Sequence, residues 1–116
     1  MLAAVDLGSN SFRMHIARHE GDAIRVVKSA REPIRLAAGL DEDGNLTPES
    51  MQRAVDCLTR FREILNAYPI DSLRVVATNT VRIARNAAEL LPRAEAAMWR
   101  RLPRRAKPKR ARPMWI

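Results

Sequence analysis

The fold is decided by the stretch Leu2-Ala3-Ala4-Val5-Asp6-Leu7-Gly8-Ser9-Asn10-Ser11, near the start of a 116-residue chain. Residues 2–7 form a short apolar run, which predicts a largely buried strand. The four small residues after it predict a tight turn. Residues 12–18 then alternate between apolar and polar, which is typical of a half-buried strand. The chain therefore opens with two strands joined by a turn that is rich in hydroxyl groups.

A third strand follows after a second short turn. Glu20-Gly21-Asp22 supplies that turn, and residues 23–30 read as the strand. Two short connections among three strands predict an antiparallel meander. Residues 31–46 are predicted to be an irregular connection. Their acidic cluster, Asp41-Glu42-Asp43, lacks the ligand spacing of a calcium site and is expected to be solvated.

An amphipathic helix comes next. Thr47 offers an N-cap and Pro48 a helix-start residue, and apolar residues then recur at steps of three and four as far as Leu65. Cys57 lies near this apolar stripe, so we expect a buried filler rather than a nucleophile. Residues 72–77 read as a fourth strand, which a crossover through the helix could place parallel to an earlier one. The elements predict an α/β domain.

The end of the predicted domain is less regular. Residues 81–85 are predicted to form one or two helical turns. Asn86, with Glu89 three positions later, resembles a capping box that opens a further helix. Pro92 fits such a helix poorly beyond the first turn, so we expect a kink or a late start. With only one strand after the crossover, a sheet edge stays uncovered, and a second copy of the chain could pair there as a homodimer.

The net charge of +8 belongs to one end of the chain. Residues 98–116 carry eight basic residues and no acid, while the 13 basic and 13 acidic residues before them cancel. The charge therefore indicates a basic, proline-containing tail and not a basic face on the fold.

No apolar run is long enough to span a membrane, and a single cysteine excludes an internal disulfide framework, so we expect a soluble cytoplasmic protein.

Two turns have residues that suit an oxyanion. In the first, the amides of Gly8 to Ser11 and two hydroxyls can form an anion-binding concavity, and Asp6 can hold a hydrated divalent cation. The alternative is a plain hairpin with a capping aspartate. The second turn follows the fourth strand, where Thr78, Thr80 and Arg82 could bind phosphate at a strand-to-helix junction. Its alternative is ordinary capping with a solvated arginine.

Three blocks of the sequence, in register, resemble the exopolyphosphatase / guanosine pentaphosphate phosphohydrolase family. They are Ala4-Val5-Asp6-Leu7-Gly8-Ser9-Asn10-Ser11-Phe12-Arg13, then Arg35-Leu36-Ala37-Ala38-Gly39-Leu40, then Val76-Ala77-Thr78-Asn79-Thr80-Val81-Arg82 followed by Asn86-Ala87. The resemblance implies an incomplete ribonuclease H-like (actin-like ATPase) domain over residues 2–97. It also implies magnesium-dependent release of terminal phosphate from polyphosphate or guanosine pentaphosphate.

The resemblance also assigns roles to residues. Gly8, Ser9, Asn10 and Ser11 would cradle phosphate; Thr78 and Thr80 are candidates from the composition of the second turn and not from the resemblance. Asp6 would lie near Mg²⁺ and hold it through water. Arg82 would contact the anionic chain, and Arg35 is a second candidate for that contact.

The chain departs from the family pattern in its last residues. The family's Ser-Gly-x-Glu-Glu motif, which supplies the catalytic base, and its second glycine-rich phosphate loop are both missing. We therefore expect a truncated, inactive fragment that retains a phosphate-binding loop. Two other interpretations stay open: a sugar-kinase-like ATPase fragment, and a polyanion- or nucleic-acid-binding module that uses the basic tail.

Overall fold

The computed structural model of the protein describes residues 1–77 and 85–99. Within them lie four strands and two α-helices. The strands are β1 (Leu2–Leu7), β2 (Ser11–Glu20), β3 (Ala23–Pro33) and β4 (Ser72–Ala77). The helices are α1 (Pro48–Leu65) and α2 (Ala87–Trp99), and a short 3₁₀ turn covers Leu36–Gly39. None of the described helices is long and apolar enough to cross a lipid bilayer.

The four strands form one sheet in the order β3-β2-β1-β4. The first three strands pair antiparallel, and β4 pairs parallel with β1, with Leu2 opposite Ser72 and Leu7 opposite Ala77. The helix α1 makes the crossover that this parallel pairing requires. The predicted meander, crossover helix and parallel fourth strand are thus confirmed. The carboxyl ends of β1 and β4 lie side by side at one edge of the sheet.

One face of the sheet is covered and the other is open in the described part of the chain. The core combines alternate strand residues, such as Val5, Met14 and Val75, with apolar residues of α1 and α2. The residues between them on the strands, such as Arg13, His15 and Arg74, are exposed. Because side chains alternate across a strand, the charged residues collect on the open face.

The predicted start of α1 is confirmed in detail. Thr47 is the N-cap, its side-chain oxygen accepts a hydrogen bond from the N–H of Ser50, and Pro48 begins the helix. Gly39 packs against this first turn so closely that a Cβ there would lie 2.0 Å from Ser50 Oγ. The connection before α1 therefore packs directly against the first turn of the helix.

The connection between β3 and α1 is more regular than predicted. The strand β3 continues to Pro33, three residues beyond the predicted end, and Leu40 and Leu46 form an isolated antiparallel bridge. Between them, Asp41 Oδ1 accepts from the N–H groups of Asp43 and Asn45. The acidic cluster is exposed, as expected, but its first carboxylate organises the loop.

The capping box predicted for α2 was wrong, and of the two alternatives predicted for Pro92 the late start is excluded while the kink stays a prediction. Asn86 does not cap the helix with its side chain: the N–H of Glu89 donates to the backbone carbonyl of Asn86, because the Asn86 amide is bonded to Leu46 instead. The helix also does not start late, since it runs from Ala87 through Pro92. Ala88 and Pro92 are exposed, so the hydrogen bond that Pro92 cannot make lies on the solvent side.

Candidate anion-binding site

The turn between β1 and β2 is closed by a backbone hydrogen bond. The N–H of Gly8 donates to the carbonyl oxygen of Ser11 at 3.1 Å. A Cβ on Gly8 would lie 2.7 Å from that oxygen, closer than van der Waals contact permits. Position 8 therefore excludes a side chain because the chain folds back on itself there, and the predicted tight turn is confirmed.

The same turn is tied to the segment that follows β3. The carbonyl oxygen of Asn10 accepts hydrogen bonds from the N–H of Ile34 at 3.0 Å and from the N–H of Arg35 at 2.9 Å. Arg35 has φ 56° and ψ 50°, the left-handed conformation that non-glycine residues rarely adopt. Arg35 is therefore held beside the turn by its backbone, while its side chain is exposed.

A further arginine contacts the turn through a side chain. Arg31 Nε donates to Ser11 Oγ at 3.2 Å, and Ser11 is 8% exposed. Arg31 was not among the predicted site residues, because the third strand was predicted to end at residue 30. No pattern in the sequence alone identifies Arg31, because its contact with Ser11 depends on the register between β2 and β3.

Asp6 lies in a row of charged residues that crosses three strands. Asp6 on β1 is opposite Arg13 on β2, which is opposite Arg31 on β3, and paired residues share a face of the sheet. The carboxylate oxygen Oδ1 of Asp6 is buried and has no hydrogen-bond partner among the residues that the structure describes. A buried anionic oxygen without a donor is unfavourable unless a cation or a proton reaches it. The row holds two positive charges and one negative charge, which favours an anion nearby.

The strand that precedes the second predicted turn ends beside the first turn. Leu7, which precedes the Gly8 turn, is opposite Ala77, the last residue of β4. The carboxyl ends of β1 and β4 therefore lie side by side. Thr78, Thr80 and Arg82 themselves lie outside the described residues, as does the basic stretch from Arg100 onward. Their predicted roles stay predictions.

His15 and Cys57, two further polar groups of the described residues, are not arranged as catalytic groups. His15 is exposed and its Nδ1 lies 3.0 Å from Ser29 Oγ. Cys57 is fully buried, and burial raises the pKa of its thiol far above 9.0, with the Glu32 carboxylate adding to the rise. Such a thiol is not a nucleophile. Among the residues that the structure describes, no group of three or more His, Cys, Asp or Glu side chains could hold a metal ion.

Known proteins similar to this chain include bacterial phosphatases. A guanosine-5'-triphosphate,3'-diphosphate pyrophosphatase of Aliivibrio fischeri is 44% identical over 94 residues, which is 81% of this chain and 19% of the relative. The corresponding protein of Aeromonas hydrophila is 45% identical over 98 residues, 84% of this chain and 20% of the relative. The chain thus spans about a fifth of the length of these curated relatives.

Solved structures agree in fold. An exopolyphosphatase of Cytophaga hutchinsonii superposes with a TM-score of 0.78 at 27% identity, covering 84% of this chain and 31% of that one. An exopolyphosphatase-like protein superposes with a TM-score of 0.78 at 33% identity, covering 84% of this chain and 30% of that protein's chain. These neighbours have the actin-like ATPase fold, of which this chain forms a part. Residues 15–98 match the model of one family over most of the chain, and the chain belongs to that family, the Ppx/GppA phosphatase family.

Proposed function

We propose that this chain provides the phosphate-binding part of a phosphohydrolase that releases terminal phosphate from guanosine pentaphosphate or polyphosphate. The observation that carries the proposal is the closed turn from Gly8 to Ser11, which begins two residues after Asp6 and lies beside Arg31 and Arg35. Successive amides and hydroxyls in a tight turn, with positive side chains around them, are suited to an oxyanion. Family membership supports the same chemistry.

Magnesium fits the site through Asp6. The buried Oδ1 of Asp6, for which the described part of the chain offers no hydrogen-bond partner, is the kind of oxygen that Mg²⁺ prefers. Mg²⁺ keeps several waters and binds through one or two carboxylates together with substrate phosphates. A single aspartate is therefore enough as this chain's contribution to the ligands of the ion. When bound, the ion would neutralise charge on the phosphate oxygens. The turn would bind and orient those oxygens.

Guanosine pentaphosphate is the first substrate to test. Relatives at 44% and 45% identity are named for a guanosine-5'-triphosphate,3'-diphosphate substrate. The solved neighbours that are named for polyphosphate are 27% and 33% identical. Both substrates offer a chain of phosphates, so a turn that binds one terminal phosphate serves either.

The chain is expected to bind phosphate without hydrolysing it. The resemblance places the catalytic base in a Ser-Gly-x-Glu-Glu motif, which these 116 residues do not contain. Hydrolysis needs a group that orients or deprotonates the attacking water, and positioning alone supplies only part of the rate. The expected activity of the isolated chain is therefore ligand binding.

The test is a titration of the isotopically labelled chain with inorganic tripolyphosphate, with and without MgCl₂, followed by NMR. The amides of residues 8–11 should shift on titration, and Mg²⁺ should tighten binding. Asp6→Asn should remove the effect of Mg²⁺, whereas Arg18→Gln, which removes an exposed charge elsewhere on β2, should not. Shifts confined to residues 100–116 would instead support polyanion binding by the basic tail and would contradict the proposal.

A further inference from the structure

The hydroxyl of Ser11 uses only part of its hydrogen-bonding capacity. A serine hydroxyl has one proton to donate and can also accept. Ser11 Oγ accepts from Arg31 Nε at 3.2 Å, and no acceptor for the Ser11 hydroxyl proton occurs among the described residues. Ser11 is 8% exposed, so bulk water is largely excluded from the residue. A nearly buried donor without an acceptor is costly and indicates that something else accepts this proton.

The contact with Arg31 determines which role the hydroxyl can play. A guanidinium group has only donors, so Arg31 makes Ser11 Oγ an acceptor on one side. The hydroxyl proton must then point away from Arg31. Ser11 lies two residues before Arg13 on β2, on the same face of the sheet as the row that contains Asp6. The proton of the Ser11 hydroxyl therefore points towards the side of the turn where the anion is proposed to bind.

We propose that Arg31 is a positioning residue of the anion site. By donating to Ser11 Oγ it orients the Ser11 hydroxyl so that its proton is donated to an oxygen of a bound phosphoryl group. The ligand class is an oxyanion that accepts hydrogen bonds and cannot donate one at that position. This inference rests on the proposed function of the turn, because it assigns a further residue to the same site.

Arg13 provides a matched control for charge. It lies directly opposite Arg31, is exposed like it, and carries the same charge. Arg13 makes no hydrogen bond with Ser11 in the described structure. A purely electrostatic contribution would be lost about equally from either arginine, whereas orientation of the hydroxyl would be lost from Arg31 alone.

The experiment is a double-mutant cycle on the Kd for inorganic tripolyphosphate, measured by calorimetry on the 116-residue chain. The variants are Ser11→Ala, Arg31→Gln, the double variant and Arg13→Gln, with Arg31→Lys as a conservative replacement. Each thermal midpoint is measured as well, so that loss of fold is separated from loss of binding. Hydrogen bonds to charged groups are strong, so Ser11→Ala should weaken binding about tenfold or more. Arg31→Gln should have a similar effect.

The affinity of the double variant shows whether Arg31 acts through the Ser11 hydroxyl. If Arg31 acts through Ser11, Arg31→Gln adds little once the hydroxyl is gone, and Arg31→Lys recovers part of the affinity in the chain that retains Ser11. Fully additive losses of affinity in Ser11→Ala and Arg31→Gln would overturn the role of Arg31 and leave the binding turn intact, whereas the loss in Arg13→Gln measures what a charge in the same row contributes. Failure of the unaltered chain to bind tripolyphosphate would overturn the proposed function and, with it, this inference.

Discussion

The side-chain amide of Asn86 forms hydrogen bonds with both peptide groups of Leu46. Its Oδ1 accepts from the Leu46 N–H at 2.8 Å, and its Nδ2 donates to the Leu46 carbonyl at 2.9 Å. A neighbouring strand would make the same pair of bonds, so one side chain substitutes for a strand at this point. Next to it, the N–H of Arg85 donates to the carbonyl of Gly44 at 3.0 Å.

This contact joins the beginnings of both helices. Leu46 is buried and immediately precedes Thr47, the N-cap of α1, while Asn86 immediately precedes Ala87, the first residue of α2. The loop from Leu40 to Leu46 is closed by its own bridge, so it presents the Leu46 peptide in a fixed orientation. The place where α2 begins is therefore set by a loop 40 residues earlier in the chain.

Asn86→Ala is expected to destabilise the chain by about 1–3 kcal/mol, because it leaves the peptide groups of a buried residue without partners. Urea unfolding followed by circular dichroism measures the loss. Asn86→Asp keeps an acceptor for the Leu46 N–H but removes the donor to the carbonyl, and should also destabilise. Asn66→Ala, at an exposed position after α1, is the control and should change stability by at most about 0.5 kcal/mol. Equal effects at positions 86 and 66 would contradict this account.

Gly8→Ala should open the turn between β1 and β2. The added methyl group would meet the Ser11 carbonyl at 2.7 Å and would break the hydrogen bond that closes the turn. We expect lower stability and at least a tenfold weaker affinity for tripolyphosphate, measured by urea unfolding and calorimetry.

The matched control for Gly8→Ala is Gly21→Ala. Gly21 has φ +63° and open space around it, so alanine there is strained by about 1 kcal/mol without a collision. That substitution should lower stability and leave anion binding unchanged. If both substitutions weakened binding alike, the loss would come from general destabilisation and not from the turn.

The strands and α1 could be predicted because the sequence patterns that specify them lie within each element. Alternation along the second strand and the three- and four-residue spacing from Met51 to Leu65 each follow from one periodicity, and Thr47 and Pro48 mark the helix start. The turn at Gly8 could likewise be predicted from small residues between two strands. These features need no knowledge of what the chain packs against.

The errors arose where a residue's partner is distant in sequence. Asn86 was assigned to its own helix because a capping box needs only residue 89, whereas its actual partner is Leu46. Arg31 was missed because its importance depends on the pairing of β2 with β3, which brings it next to Ser11. A single sequence shows which residues can form such hydrogen bonds, but it does not show which of them come into contact in the folded chain.

Glu32 should make the stability of the chain depend on pH in the acidic range. Arg60 donates to both oxygens of its carboxylate, and this hydrogen bonding holds the pKa of Glu32 below its ordinary value of 4.5. A carboxyl whose pKa is lowered by folding stabilises the native state above pH 4.5. That contribution is lost as the pH falls through the lower, folded-state pKa.

The expected size of the Glu32 contribution is about 1 kcal/mol or less, because Arg60 is half exposed and surface pairs are screened. Urea unfolding at pH 7 and at pH 3 should show a smaller loss of stability on acidification in Glu32→Gln than in the unaltered chain. Glu63→Gln, at an exposed glutamate of α1, the helix that carries Arg60, serves as the control. An unchanged pH dependence in Glu32→Gln would show that the ion pair is not coupled to folding.

Cys57 should react with a thiol reagent only when the chain opens. Burial is the largest cause of its raised pKa, and the neighbouring Glu32 charge is the next. Because the thiolate is the reactive form, labelling by dithiobis(nitrobenzoate) at pH 8 should be slow in the folded chain and fast in urea. Rapid labelling of the folded chain would contradict the burial of Cys57.

Glu32→Gln separates the two causes of the raised Cys57 pKa. It removes the negative charge beside the thiol but leaves the apolar surroundings, so the thiol should stay protonated and slow to label in the folded state. The comparison has to be made at equal free energies of unfolding, adjusted with urea, since the reagent also reaches Cys57 through the opened chain. If labelling of the variant is then much faster, the charge of Glu32 and not burial keeps Cys57 unreactive.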